Sequence, residues 1–235
     1  MARPLLHYLS AALLGFSGMG AAAGCADTES MLVIRGVIAL QPPQCIASPD
    51  ATLFHLAGSV DTRLSRQYVA HLQVANQLMA RGDDEQLRSE TARVTITGAE
   101  VVLTRPDGSR IGRGNYTVTA SGSIDPSVGN QPGLGVVFAP LVPDFEQYID
   151  VDDAPNPLIV EVQVYGKTLG GQEVWSNWYT YPIYFTRLVT FPAESLDETT
   201  GRCTPAGASE PPCIIGQDDA VPCSACLQES FCEAP

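Results

Sequence analysis

The sequence predicts a mainly-β fold, an antiparallel two-sheet sandwich with a disulfide-stapled C-terminal tail. Three observations carry that expectation. Apolar and polar residues alternate with period two in several runs between about residues 31 and 190. Turn formers separate those runs, with 21 Gly and 18 Pro in 235 residues and little sustained helical periodicity. Five of the seven cysteines, Cys203, Cys213, Cys223, Cys226 and Cys232, crowd into a polar C-terminal segment that cannot bury enough apolar surface to fold unaided.

In chain order, the first 24 residues read as an export leader rather than part of the fold. Arg3 supplies a positive start, and the apolar run Leu5 to Phe16 is shorter than the roughly 20 residues a spanning helix needs. Small residues then lead to Cys25. The stretch Ala22-Ala23-Gly24-Cys25 resembles the lipobox of bacterial lipoproteins, with Ala in place of the usual Leu three before the Cys. The resemblance implies diacylglyceryl attachment to the Cys25 sulfur, cleavage before Cys25 and acylation of the new amino terminus. The membrane is then a partner through lipid, held stably because several acyl chains insert. The alternative is ordinary secretory cleavage within Ala21-Ala22-Ala23. Parity favours lipidation, since seven Cys less Cys25 leaves six that can all pair. Enteric lipoproteins retained in the inner membrane carry Asp directly after the Cys. Ala26 stands there in this chain, so sorting to the outer membrane of a bacterial cell envelope is expected rather than inner-membrane retention.

The parts are therefore a leader (1–24), a lipidated tether (25–30), a sandwich (31–190), and a linker with a Cys-rich tail (191–235). Leu32 to Leu40 reads as the first strand, stopped by Pro42-Pro43. Residues 66–79 fit two patterns. Tyr68, Ala70, Leu72 and Val74 alternate as in a strand, whereas Leu64, Tyr68, Leu72, Ala75 and Met79 line one helical face of good helix formers. Strand is preferred, because the first strand needs a partner. The charged stretch Gly82 to Glu90 reads as an exposed loop.

Val94, Ile96, Val101 and Leu103 keep one face only if a bulge falls near Gly98-Ala99. Pro106-Asp107-Gly108 is a turn, followed by the alternation of Tyr116, Val118 and Ala120, and Val136 to Phe138 is a short strand. Asp144 to Tyr148 can form one helical turn opening an acidic loop that runs to Asp153. Leu158, Val160, Val162 and Val164 point one way, and Gly166 to Gly171 closes a hairpin into Glu173 to Phe185. Strand count and spacing resemble immunoglobulin-like or fibronectin-type-III-like domains, without a Cys–Trp–Cys signature. The whole layout is similar to that of envelope lipoproteins of Gram-negative bacteria, a resemblance that supplies no activity.

Five tail cysteines are odd in number, so complete pairing within the chain ties at least one of them to Cys45, beside the end of the sandwich where the first strand exits. Cys223-Ser224-Ala225-Cys226 lacks both the βαβ setting of a redox motif and the second ligand pair of a zinc site, so structural disulfides are expected.

Removing Arg3 with the leader leaves 12 basic residues against 26 acidic ones, a formal charge of −14. Such a surface makes nucleic acid and anionic headgroups poor partners. His55 and His71 are the only histidines after the leader, and neither neighbours a nucleophile elbow. With no P-loop, dinucleotide fingerprint or His-Glu-x-x-His pattern, a non-enzymatic protein without catalytic residues, metal or cofactor is expected. Asp150, Asp152 and Asp153, with Asp144 and Glu146 nearby, offer oxygens for Ca²⁺, but they lack the spacing of an EF-hand and read as a solvated loop.

The most informative cluster is aromatic: seven of the 17 aromatic residues lie between Tyr165 and Phe185. Of these, Trp175, Trp178, Tyr179 and Tyr181 are the candidate binding residues, since aromatic faces stack on sugars and anchor protein partners. In one continuous strand, Trp175, Tyr179 and Tyr181 share a face and Trp178 and Tyr184 share the other, so either the tail covers some of them or they form a binding patch. The leading expectation is a lipid-anchored envelope protein displaying its sandwich for protein contacts. The second is a glycan- or solute-binding lipoprotein that uses strand 173–185, with calcium as an accessory.

Overall fold

A computed structural model describes residues 31–82, 89–148, 155–191 and 212–225, together with positions 197, 199 and 203. The leader, Cys25, the rest of the tether, the middle of the charged loop at 83–88, Asp150, Asp152, Asp153, Cys226 and Cys232 lie outside the described residues. The fold is mainly β. Its strands are β1 (Leu32–Ile38), β2 (Phe54–His55), β3 (Gly58–Val60), β4 (Tyr68–Asn76), β5 (Val94–Thr104), β6 (Arg110–Val118), β7 (Gly122–Ile124), β8 (Gly133–Val142), β9 (Leu158–Thr168), β10 (Glu173–Trp175), β11 (Tyr179–Phe185), β12 (Val189–Thr190) and β13 (Val221–Pro222). One short helix, α1 (Phe145–Tyr148), follows β8 at the helical turn expected from Asp144 to Tyr148.

One sheet has the order β2-β1-β4-β8, and a larger one has the order β3-β11-β9-β5-β6, with β10 joined to β9 and β7 to β5. Pairing is antiparallel except for β11 with β3 and β12 with β13. Both sheets feed one buried cluster. Leu32, Leu72, Val74, Val137 and Leu141 come from the first, and Val101, Leu103, Val160, Val162 and Ile183 from the second. On β9 the even positions from Leu158 to Val164 are all fully buried while Ile159 to Tyr165 are half-buried, the period-two pattern of a strand with one face inward.

Residues 68–76 form a strand although their composition suits a helix. β4 is flanked on both sides, with all nine residues paired to β8 and five of them also to β1, partners that a helix there would forgo. Tertiary pairing overrides local propensity in such a place. The bulge expected in β5 is present, since pairing with β9 shifts between Ile96 and Gly98.

The two sheets differ in what covers their outer faces. β4 is buried on both sides because Gln73 donates to the Pro49 and Ala51 carbonyls, drawing that loop over the sheet. Gln217 from the tail brackets Val69 in the same way, accepting its N–H at 2.8 Å and donating to its carbonyl at 2.6 Å. Sheet edges are also occupied. Ser121 exchanges two backbone bonds with Phe138 on the outer edge of β8, and Asn177 receives the Ile34 N–H on β1. Occupied edges remove templates for strand addition.

Two disulfides hold the tail, Cys45–Cys213 across 168 residues and Cys203–Cys223 across 20. The first is a bond of the kind that parity required, between Cys45 and a tail cysteine. It places residues 212–225 beside β3 and β4 at the end where β1 exits: Asp61 donates its backbone N–H to Gly216 and Asp218 donates to Ser59.

Candidate functional site: an aromatic sheet face

The segment 173–185 is not one strand. Trp175 lies opposite Tyr165, and Tyr179 lies opposite Val162. The outer chain thus advances four residues while β9 advances three. One inserted residue inverts the facing of everything after it, because side chains alternate with period two. Trp175 therefore does not share a face with Tyr179 and Tyr181. Tyr181 is fully buried and Tyr179 half-buried, while Trp175 projects outward with Tyr165, and Trp178, one before Tyr179, projects outward as well.

The insertion has a local cause. Ser176 is fully buried, and its hydroxyl accepts the Val164 N–H and donates to the Asn177 carbonyl. Asn177 then reaches the first sheet, donating its N–H to the Leu32 carbonyl and accepting from Ile34. The polar pair between the two tryptophans stitches the sheets together, and the extra residue is consumed in doing so.

The result is a set of partly exposed aromatics on the outer face of the larger sheet. Trp175 is 41% exposed, Trp178 45% and Tyr184 44%. The rings of Tyr165 and Trp175 lie 4.7 Å apart at 37°. Tyr165 lies over Gly98, where a Cβ would come within 2.3 Å of its hydroxyl, so glycine there permits the ring's close approach. Beside the pair runs a groove of about 150 Å³ lined by Thr97, Tyr165, Gly166, Lys167, Glu173 and Trp175. Lys167 and Glu173 face each other at 3.3 Å on its rim, both well exposed. Gln163 lies on the same outer face and donates its amide to the Ser176 carbonyl. Flat aromatic faces ringed by a charge pair suit stacking on a planar or ring-shaped ligand, with polar groups to orient it.

The described residues of the tail do not supply the cover that a structural role for the aromatics required. Residues 212–225 pack on β3, β4 and β12, through Asp218 with Ser59, Gln217 with Val69 and Val221 with Val189.

A second polar cluster lies where the tail meets the sandwich, and sequence reasoning missed it. His55 and His71, both far in the chain from the tail, line one cleft with Gln217, Asp218 and Asp219 beside Cys213. Tyr68 and Tyr181 are both fully buried with hydroxyls 2.9 Å apart, and the Tyr68 hydroxyl donates to Asp218 at about 2.9 Å. The same carboxylate accepts from the Ser59 N–H and the Gln217 amide, with His55 Nε2 at 4.0 Å. Burial pushes Asp218 above the usual carboxylate range, raises both tyrosines and lowers His71. The cleft's free volume is about 10 Å³, room for a single water. With its carboxylate engaged by three donors, the cluster locks the tail onto the sheets. No residue pattern flagged it, because Gln217-Asp218 is an ordinary polar pair until the Cys45–Cys213 bond brings it to Tyr68.

Of the acidic residues weighed for calcium, Asp144 and Glu146 are both engaged by Arg66, at 3.6 and 2.6 Å, and the other three lie outside the described residues. Among the described residues no group of three or more His, Cys, Asp or Glu has the geometry to hold a metal ion, and no helix is long and apolar enough to cross a membrane. No family model, curated protein or solved structure matches the chain.

Proposed function

We propose that the protein is a non-enzymatic lipoprotein of the bacterial cell envelope, anchored through Cys25 and sorted to the outer membrane, whose aromatic sheet face binds a glycan. The observation that carries the binding reading is that both indoles are partly exposed on the outer face, one packed at a tilt against Tyr165 beside a polar-rimmed groove. Exposed tryptophans are costly on a protein that has no use for them, and several aromatics spread over one sheet face match an extended sugar chain better than a compact solute. The anchor reading rests on the Ala22-Ala23-Gly24-Cys25 sequence and on four of the six other cysteines being paired as two disulfides.

Alanine substitution at each indole tests the binding reading. Trp175→Ala and Trp178→Ala are expected to abolish retention on insoluble cell-wall material while leaving the melting temperature unchanged. Retention equal to that of the parent protein would remove the aromatic face from consideration.

A second reading, display of the domain for protein contacts, is favoured by a different observation. Ile46, Leu53, Leu56 and Ile215 are more than half exposed around the Cys45–Cys213 bond, with Leu56 at 90%. Apolar side chains gathered at one tip mark a contact surface for another protein.

A further inference from the structure

The end of the sandwich from which the tether leaves is, we propose, a membrane-resting surface, whose exposed apolar side chains dip into the headgroup–acyl boundary of the leaflet that holds the anchor. The inference rests on the lipid anchor at Cys25 and adds an orientation to it.

Four loops meet at that end, and each presents a large apolar side chain to solvent: Met31 at 39% exposure, Met79 at 65%, Val128 at 73% and Leu169 at 59%. Their proximity is fixed by backbone contacts. Gln77 donates to the Met31 carbonyl at 2.9 Å, Met79 bridges to Ser127, the neighbour of Val128, and Leu169 donates to the Arg93 carbonyl. The Gln172 amide closes the ring at 3.6 Å from the Met31 sulfur. Such a set facing water is unfavourable unless something apolar receives it.

The length of chain before Met31 identifies what that is. Cys25 precedes it by six residues, an extended reach of about 20 Å at most. β1 runs seven residues away from Met31, about 23 Å, so Leu56 beside its far end lies out of reach of the bilayer while the four apolar loops face it. Among the described residues, several charges at this end have partners. Arg93 pairs with Asp125 at 2.6 Å, Lys167 with Glu173 at 3.3 Å, and the Glu90 carboxylate accepts the N–H groups of Arg81, Gly82 and Ala92. An apolar end suits a zwitterionic surface, where an acidic chain meets no repulsion.

The test uses the full-length lipidated protein in phosphatidylcholine vesicles whose acyl chains carry bromine, with Trp175→Phe and Trp178→Phe removing the native indoles. Val128→Trp and, separately, Leu169→Trp report on the proposed surface, and Leu56→Trp reports on the opposite end. Vesicle flotation and the intact mass establish anchoring in the same samples. Both membrane-end reporters are expected to shift to the blue and to lose most of their emission, with the Leu56→Trp reporter unaffected. Reporters that float with the vesicles yet match Leu56→Trp in emission would overturn the docking and leave the anchor standing. Protein that neither floats nor carries acyl mass would overturn the anchor, and the docking with it.

Discussion

Replacing Tyr68 with Phe isolates the bond between tail and sandwich without opening a cavity, since only a hydroxyl is removed from a fully buried ring. That hydroxyl donates to the Asp218 carboxylate and accepts from the Tyr181 hydroxyl at 2.9 Å. A hydrogen bond to a charged group contributes about 1.5–3 kcal/mol and a neutral one about 1, so Tyr68→Phe costs roughly 2–4 kcal/mol. For a domain of this size that lowers the melting temperature by roughly 4–16 °C. Tyr181→Phe removes only the neutral bond and costs about 1 kcal/mol. The double variant is expected to be no worse than Tyr68→Phe, because the second change removes a donor that the first has left without an acceptor. Urea unfolding of the soluble chain lacking residues 1–25, at a pH above the raised pKa of Asp218, supplies all four free energies. A loss for Tyr68→Phe no larger than that for Tyr181→Phe would refute the account, since the carboxylate bond would then contribute nothing.

Three further outcomes follow from the same geometry. Asp218 has its pKa raised by burial, so the native state holds this proton to higher pH than the unfolded chain does. Stability relative to Asp218→Asn is therefore expected to fall as pH rises from about 4 through the raised value, and thermal melts across that range showing the opposite slope would exclude the carboxylate as its source. Cys45→Ser with Cys213→Ser opens a loop of 168 residues and costs up to about 5 kcal/mol by chain entropy, read as a lower urea midpoint, with non-reducing peptide maps of the parent showing Cys226 joined to Cys232 and no free thiol. Cys25→Ser is expected to abolish incorporation of a clickable palmitate analogue and to release the protein from the membrane fraction, and continued labelling would end the lipoprotein reading.

Much of the layered β fold was legible because burial on one face leaves a period-two trace, as in Leu158 to Val164, and because a broken period reports a bulge, as at Gly98. Residues 68–76 were resolved only by the demand for a partner to β1, since their side chains suit helix equally well. The parallel pairing of β3 with β11 left no trace, for a three-residue strand such as Gly58–Val60 carries too little pattern. The aromatic cluster was visible as composition, but its facing was not. Ser176 and Asn177 look like two ordinary positions of an alternating strand, and only their bonds to Val164, Leu32 and Ile34 show that one residue is spent crossing between sheets. Likewise, complete pairing of the cysteines required a bond from Cys45 to the tail, yet nothing in the sequence indicated that residues 212–225 would settle on Tyr68 rather than over the tryptophans.

The most direct measurement of the binding claim is tryptophan emission of the soluble chain lacking residues 1–25, titrated with peptidoglycan fragments and with envelope polysaccharides, with and without Ca²⁺. Indoles that stack on a sugar leave water and change their emission as the ligand saturates. A saturable change is predicted with at least one glycan class. It should be diminished in both Trp175→Ala and Trp178→Ala and unaltered in Tyr68→Phe, whose defect lies at the tail. A flat titration with every glycan, from a protein whose indoles emit as solvent-exposed, would contradict the glycan reading and leave the apolar tip around Leu56 as the surface through which the domain acts.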